Sequence, residues 1–141
     1  MINEIYNKDV LRLAADITCI GNLDNANATA SLRSPLCGSS INVSINIEND
    51  RIIAYSQEIT ACALGQASAS VMAQAIIGKS KNDIQTTRDE VQEMLVKGTT
   101  IPKGDWSALI ALAPAKKAKS RHGAILLPFD AVLKALTERK R

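Results

Sequence analysis

Three cysteines and one histidine carry most of the chemistry open to this chain: Cys19, Cys37, Cys62 and His122. A thiolate is both a nucleophile and a soft metal ligand, and imidazole is a borderline ligand. Cys37 lies in Ser34-Pro35-Leu36-Cys37-Gly38-Ser39, where Gly38 lets the backbone turn sharply beside the sulfur. Cys62 falls where an extended segment gives way to small residues, Ala61 to Ser70. A thiol at a helix N-terminus meets the positive end of the dipole, which favours the thiolate. His122, the only histidine, falls just before the last predicted helix. Two thiols and an imidazole suit zinc or iron, but a closed tetrahedral site needs four ligands. Ser39 and Cys19 are the in-chain candidates for the fourth; water or a partner's group are the others. Two cysteines buried as small hydrophobes is the plain alternative.

Other chemistry has less support. Gly78-Lys79-Ser80 is not a phosphate loop, because Ala73 stands where that motif needs glycine. The tripeptide also closes a helix instead of opening one. A hydrolase would need a nucleophile–base pair, and His122 would have to serve every such pair. The chain therefore reads as a non-enzyme. A small thiol catalyst pairing Cys62 with His122 is the enzymatic alternative.

The elements that must position these groups follow from hydrophobic period. Glu4 to Asp16 has a helical apolar face through Ile5, Val10, Leu11, Leu13 and Ala14. Asn25 to Arg33 alternates as a strand, although alanine is a poor strand former. Ile41, Val43, Ile45 and Ile47 alternate strictly with polar residues, and Asn49-Asp50 turns the chain into a partner strand, Arg51 to Ile59. These three strands predict an antiparallel meander with both cysteine segments at one end. From Leu64 to Ile76 the period becomes helical and Gly78 closes the helix. Asn82 or Asp83 is expected to cap a helix ending at Gly98. Asp105 is expected to cap a short one carrying Trp106, Leu109 and Ile110, limited by Pro114. Pro128 fits a first turn, so the last helix is placed from Leu126 or Leu127 to about Glu138. The fold class is α+β: a three-stranded antiparallel sheet with helices packed on one face.

Composition sets the outer bounds. With 141 residues, a single domain over 1–141 is expected. Only Trp106, Phe129, Tyr6 and Tyr55 are aromatic, so the core must be aliphatic. Net charge is +3, with Lys116, Lys117, Lys119, Arg121, Lys134, Arg139, Lys140 and Arg141 crowded into the last quarter. No aromatic residues interleave with these charges to stack bases, and no nucleic-acid role is read from them. No positive n-region precedes an apolar stretch, and no stretch reaches the ~18 apolar residues a membrane span needs. Thiols without an export signal fit a cytoplasmic protein and argue against a disulfide framework.

Taken together, the segments resemble the U-type iron–sulfur scaffolds: IscU, SufU and the N-terminal domain of NifU. Ile20-Gly21-Asn22-Leu23 resembles that family's N-terminal glycine segment, and Ser34-Pro35-Leu36-Cys37-Gly38 its Pro-x-Cys-Gly-Asp loop. Ile41 to Ile59 looks like its hairpin. Ala61 to Ser70 resembles its second cysteine and small-residue helix, which Ile77-Gly78-Lys79-Ser80 closes. Arg121-His122-Gly123-Ala124-Ile125-Leu126 resembles its third-cysteine segment. The long stretch before that segment is closer to SufU than to IscU.

The resemblance implies a SufE/NifU-like fold and a role as scaffold or sulfur acceptor in iron–sulfur cluster assembly. Cys37, Cys62 and His122 would then bind iron, a cluster or zinc. A cysteine desulfurase would be the partner, apo iron–sulfur proteins the recipients, and a homodimer an open state. Ser39 stands at the family's aspartate position and Gly123 at its third cysteine. The chaperone motif Leu-Pro-Pro-Val-Lys has only an echo, Leu112-Ala113-Pro114-Ala115-Lys116. A metal-free module that binds assembly factors is the alternative.

Overall fold

A computed structural model describes residues 5–36 and 38–139. The strands are β1 (Ala28–Arg33), β2 (Ser40–Glu48) and β3 (Arg51–Thr60), antiparallel in the order β1-β2-β3. Ile41, Val43, Ile45 and Ile47 point into the core, and across β3 that buried face continues through Ile52, Tyr55 and Gln57. Asn49 and Asp50 both take left-handed φ, 52° and 63°, as a two-residue hairpin of the right twist requires. A bulge at Asn46/Ile47 shifts the register beside that turn.

The helices are α1 (Lys8–Ala15), α2 (Ala63–Ala75), α3 (Lys81–Val96) and α4 (His122–Glu138). A run of 3-10 turns, Gly104–Lys117, links α3 to α4 by way of a last 3-10 turn, Lys119–Arg121. α4 lies along β1 and β2, while α2 reaches β3; α1 covers α2, and α3 packs on α4 and the 3-10 run. The expected class, a three-stranded antiparallel sheet with helices on one face, is the one observed. The free edge of β3 is covered. Ile52 exchanges backbone hydrogen bonds with Gly78 and Lys79, and Gln57 does so with Cys19 and Gly21.

Several boundaries differ from those read in the sequence, each for a local reason. Glu4 lies outside the described residues, and the first helix begins at Lys8 because the Asn7 side chain accepts from Val10 N at 2.9 Å. The first strand starts at Ala28 instead of Asn25; Asn27 instead clamps β2, with hydrogen bonds to the backbone of Ile47. Ser80, not Asn82 or Asp83, caps α3, and Asp83 closes a capping box back onto Ser80 N. The segment after Asp105 is 3-10 and runs through Pro114, leaving Ile110 exposed.

α4 starts at His122, not at Leu126 or Leu127, so Pro128 sits inside it. Proline removes an N–H and crowds the preceding turn. The carbonyl left without its helical donor is that of Ala124; the next one, Ile125 O, accepts from the Ser68 hydroxyl of the neighbouring helix at 2.6 Å.

The capping box gives a stability prediction. Ser80→Ala should cost about 1 kcal/mol. Asp83 is held below its ordinary 3.8, first by the Ser80 backbone N–H and then by the Ser80 hydroxyl and the nearby cations Arg51 and Lys79. A depressed carboxyl stabilises the fold above its unfolded value and loses that contribution as pH falls through its folded value. Urea unfolding of Asp83→Asn should therefore show a deficit near neutral pH that shrinks in acid. A deficit that grows in acid would contradict this sign.

Candidate metal centre

β1 leaves the sheet at Arg33, β2 enters at Ser40, and both stand in register with Thr60 at the end of β3. The Ser34–Ser39 loop and the Ala61–Cys62 junction thus share one end of the sheet. Ser34 N donates to Ser39 O at 2.8 Å, and Gly38 N donates to Ser34 O at 2.9 Å, which closes the loop. Gly38 takes a left-handed φ of 71°, a conformation glycine adopts without strain. Leu36 projects from the loop, 80% exposed. Cys37, between them, lies outside the described residues.

Cys62 is the residue that opens α2. Its backbone is extended, its carbonyl accepts from Gln66 N at 3.0 Å, and its thiol makes no cap hydrogen bond. It is half-buried and free. The first N–H groups of α2 therefore open beside the sulfur, a setting that attracts negative charge.

α4 begins against both segments. A Cβ built on Gly65 would stand 2.8 Å from Ala61 Cβ and 3.3 Å from Ala124 O. Glycine thus lets the first turn of α2 meet the first turn of α4. Gly123 faces Ser34 in the same way: its Cβ would stand 2.7 Å from Ser34 Oγ. The three segments singled out in the sequence are gathered at one end of the fold.

His122 opens α4 and is half-buried. Its Nε2 lies 2.8 Å from Ala115 O. A carbonyl only accepts, so Nε2 carries the hydrogen, and in the neutral ring the lone pair sits on Nδ1. A backbone carbonyl fixing one imidazole nitrogen is how metal-binding histidines are commonly oriented.

Cys19 is elsewhere. Its sulfur is 4.0 Å from Ala73 O, eleven residues along α2 from Cys62, or about 16 Å at 1.5 Å per residue. It does not supply the fourth ligand. Ser39 stays with the loop, buried, its carbonyl bonded to Ser34 N. Among the described residues no three His, Cys, Asp or Glu side chains gather closely enough to hold a metal ion.

The sequence reading missed Ser34 and the Ala115 carbonyl. Two serines bracketing a tight loop signalled the first. Nothing local signalled the second, since Ala115 reaches His122 only through the intervening 3-10 turn.

The NifU-like N-terminal domain model matches residues 5–122. The chain belongs to this family. The crystal structure of a NifU-like protein, N-terminal part, from Brucella abortus superposes with a TM-score of 0.93 at 36% identity, covering 96% of this chain and 94% of that one. The iron–sulfur cluster assembly scaffold protein IscU of Thermotoga maritima is 24% identical over 137 residues, 97% of this chain and 96% of that protein. Its Streptococcus pyogenes counterpart is 33% identical over 75 residues, 53% of this chain and 46% of that protein, so the match spans less than half of that relative. A SufU structure from Fervidobacterium islandicum shares the NifU-like fold, with a TM-score of 0.85 at 24% identity. No described helix is long and apolar enough to cross a membrane.

Proposed function

We propose that residues 1–141 form a single scaffold domain of iron–sulfur cluster assembly, binding iron or a nascent cluster as cargo through Cys37 and Cys62. The observation that carries this reading is the meeting, at one sheet end, of the Ser34–Ser39 loop, the Cys62 junction and the His122–Gly123 turn. The names of the IscU relatives support the same role. His122 serves as a third ligand through Nδ1. Two thiolates and one imidazole fit an iron or zinc ion with an open position better than a closed four-ligand site. The open position is where an inorganic sulfide or a recipient's ligand would bind. A cysteine desulfurase supplies the sulfur, and apo iron–sulfur proteins receive the product.

Anaerobic reconstitution of the full chain with ferrous iron and sulfide, followed by metal counting, tests this. The wild type should retain iron, and Cys37→Ser/Cys62→Ser should lose nearly all of it. Equal iron in both would overturn the reading. Ser39 and Gly123, standing where the scaffold family has its aspartate and third cysteine, favour the second reading, a metal-free module that binds assembly factors. A colourless wild type that still binds a cysteine desulfurase would establish that one.

A further inference from the structure

We infer that Ser34 and Gly123 are a matched pair in which the serine hydroxyl occupies the space a side chain at 123 would need. Position 123, where the resemblance to the scaffold family would put a third thiolate, is thereby closed to a protein ligand. Gly123 lies in the first turn of α4, and its φ falls outside the left-handed range, so the backbone there does not demand glycine. The demand comes from packing. An added Cβ would stand 2.7 Å from Ser34 Oγ but an ordinary 3.8 Å from Ser34 Cβ. The obstruction is thus one oxygen atom.

That oxygen can retreat only by turning about χ1, because the backbone that carries it is held. Ser34 is 6% exposed, and both its backbone groups are tied into the loop that carries Cys37. A side chain at 123 must either turn the hydroxyl away or push the Cys37 loop off α4. The pair therefore fixes where that loop sits and holds the site to two thiolates, leaving further coordination to His122 and to groups from outside the chain. This ligand count rests on the metal-binding reading above; the packing claim does not.

The test is a double-mutant cycle on the full chain with two readouts. Thermal unfolding without metal reads the packing. Alanine is the better helix former, so Gly123→Ala should be neutral or stabilising wherever it fits. With Ser34 present it should lower Tm by about 3–8 °C, and in Ser34→Ala the drop should vanish or reverse. An equal Tm change in both backgrounds would overturn the pair.

Cobalt(II) reads the ligands through its thiolate charge-transfer absorbance, which grows with the number of bound thiolates. Gly123→Cys alone should keep the wild-type intensity. Ser34→Ala/Gly123→Cys should raise it by about half, three thiolates in place of two. A full increase with Gly123→Cys alone, at unchanged Tm, would overturn the inference. No thiolate band in the wild type would instead defeat the metal-binding reading, and the Tm cycle would still decide the packing pair.

Discussion

Phe129→Ala should cost about 3–5 kcal/mol of folding stability, the range for truncating a buried ring in a close-packed core. Phe129 is fully buried on α4 and is the bulkiest of the fully buried side chains. Its ring lies 5.6 Å from that of Trp106 at a tilt of 48°, joining α4 to the 3-10 run. The core around them is mostly aliphatic and rich in alanine, and its larger side chains are close-packed, which limits how far they can move into the void. Truncation removes the ring's transfer free energy, leaves a cavity and takes away the partner of Trp106. Urea unfolding should show the loss as a lower midpoint at unchanged slope. Trp106, the only tryptophan and 6% exposed, should shift its emission to the red. Phe129→Leu keeps more volume and should lose roughly half as much. A Phe129→Ala deficit under 1.5 kcal/mol would mean that the helix collapses onto the gap.

The elements that sequence made legible are those whose apolar residues recur with a fixed period. In β2 apolar and polar residue types alternate without a break from Ile41 to Ile47, and the apolar side packs against the helices, although Ser44 on the other side is buried too. In α2 the large apolar residues keep the helical period and Gly78, with φ 87°, follows its end, although the small residues between them are buried as well. The start of α4 was not. Pro128 by itself argues for a helix beginning only a turn before it, whereas α4 begins six residues earlier, held against its neighbours by packing and by the Ser68 hydroxyl on Ile125 O. The register shift at Asn46/Ile47 was hidden likewise, because a bulge changes pairing without changing composition.

The site divides along the same line. Cys62 was placed correctly because a change of period marks a strand-to-helix junction wherever it occurs. His122 was placed at the right end, but its tautomer depends on a carbonyl seven residues away. The constraint at Gly123 could not be read at all. By resemblance alone Gly123 stands where the scaffold family has a cysteine; the hydroxyl of Ser34, from the loop packed beside it, lies where a side chain at 123 would go. Sequence thus reports which segments converge, while contacts between segments decide what each position can hold.

The same distinction governs the second large effect, at Gln57. Residue 57 falls on the inward face of β3, opposite Val43, where an apolar residue would be expected. Its side chain is fully buried and fully used. Nε2 donates to Thr18 O at 3.2 Å and to Ala69 O at 3.1 Å, and Oε1 accepts from the Tyr55 hydroxyl at 2.8 Å. One amide thus ties β3 to the Thr18 segment that follows α1 and to α2, the helix that Cys62 opens. Burial, and secondarily the nearby Cys19, raises the Tyr55 pKa, so the phenol remains the donor in this network.

Gln57→Leu conserves much of the volume but strands the Tyr55 hydroxyl and the Thr18 carbonyl. At about 1–3 kcal/mol for each buried group left without a partner, the loss should be about 2–6 kcal/mol. In a Tyr55→Phe background the same change should cost distinctly less, because the hydroxyl is no longer there to be orphaned. Cys19, adjacent to the released Thr18, should also be alkylated faster, as peptide mapping of the labelled thiols would show. Equal costs in both backgrounds would mean that Tyr55 and Gln57 act independently, and the polar pin between sheet and α2 would have to be sought elsewhere.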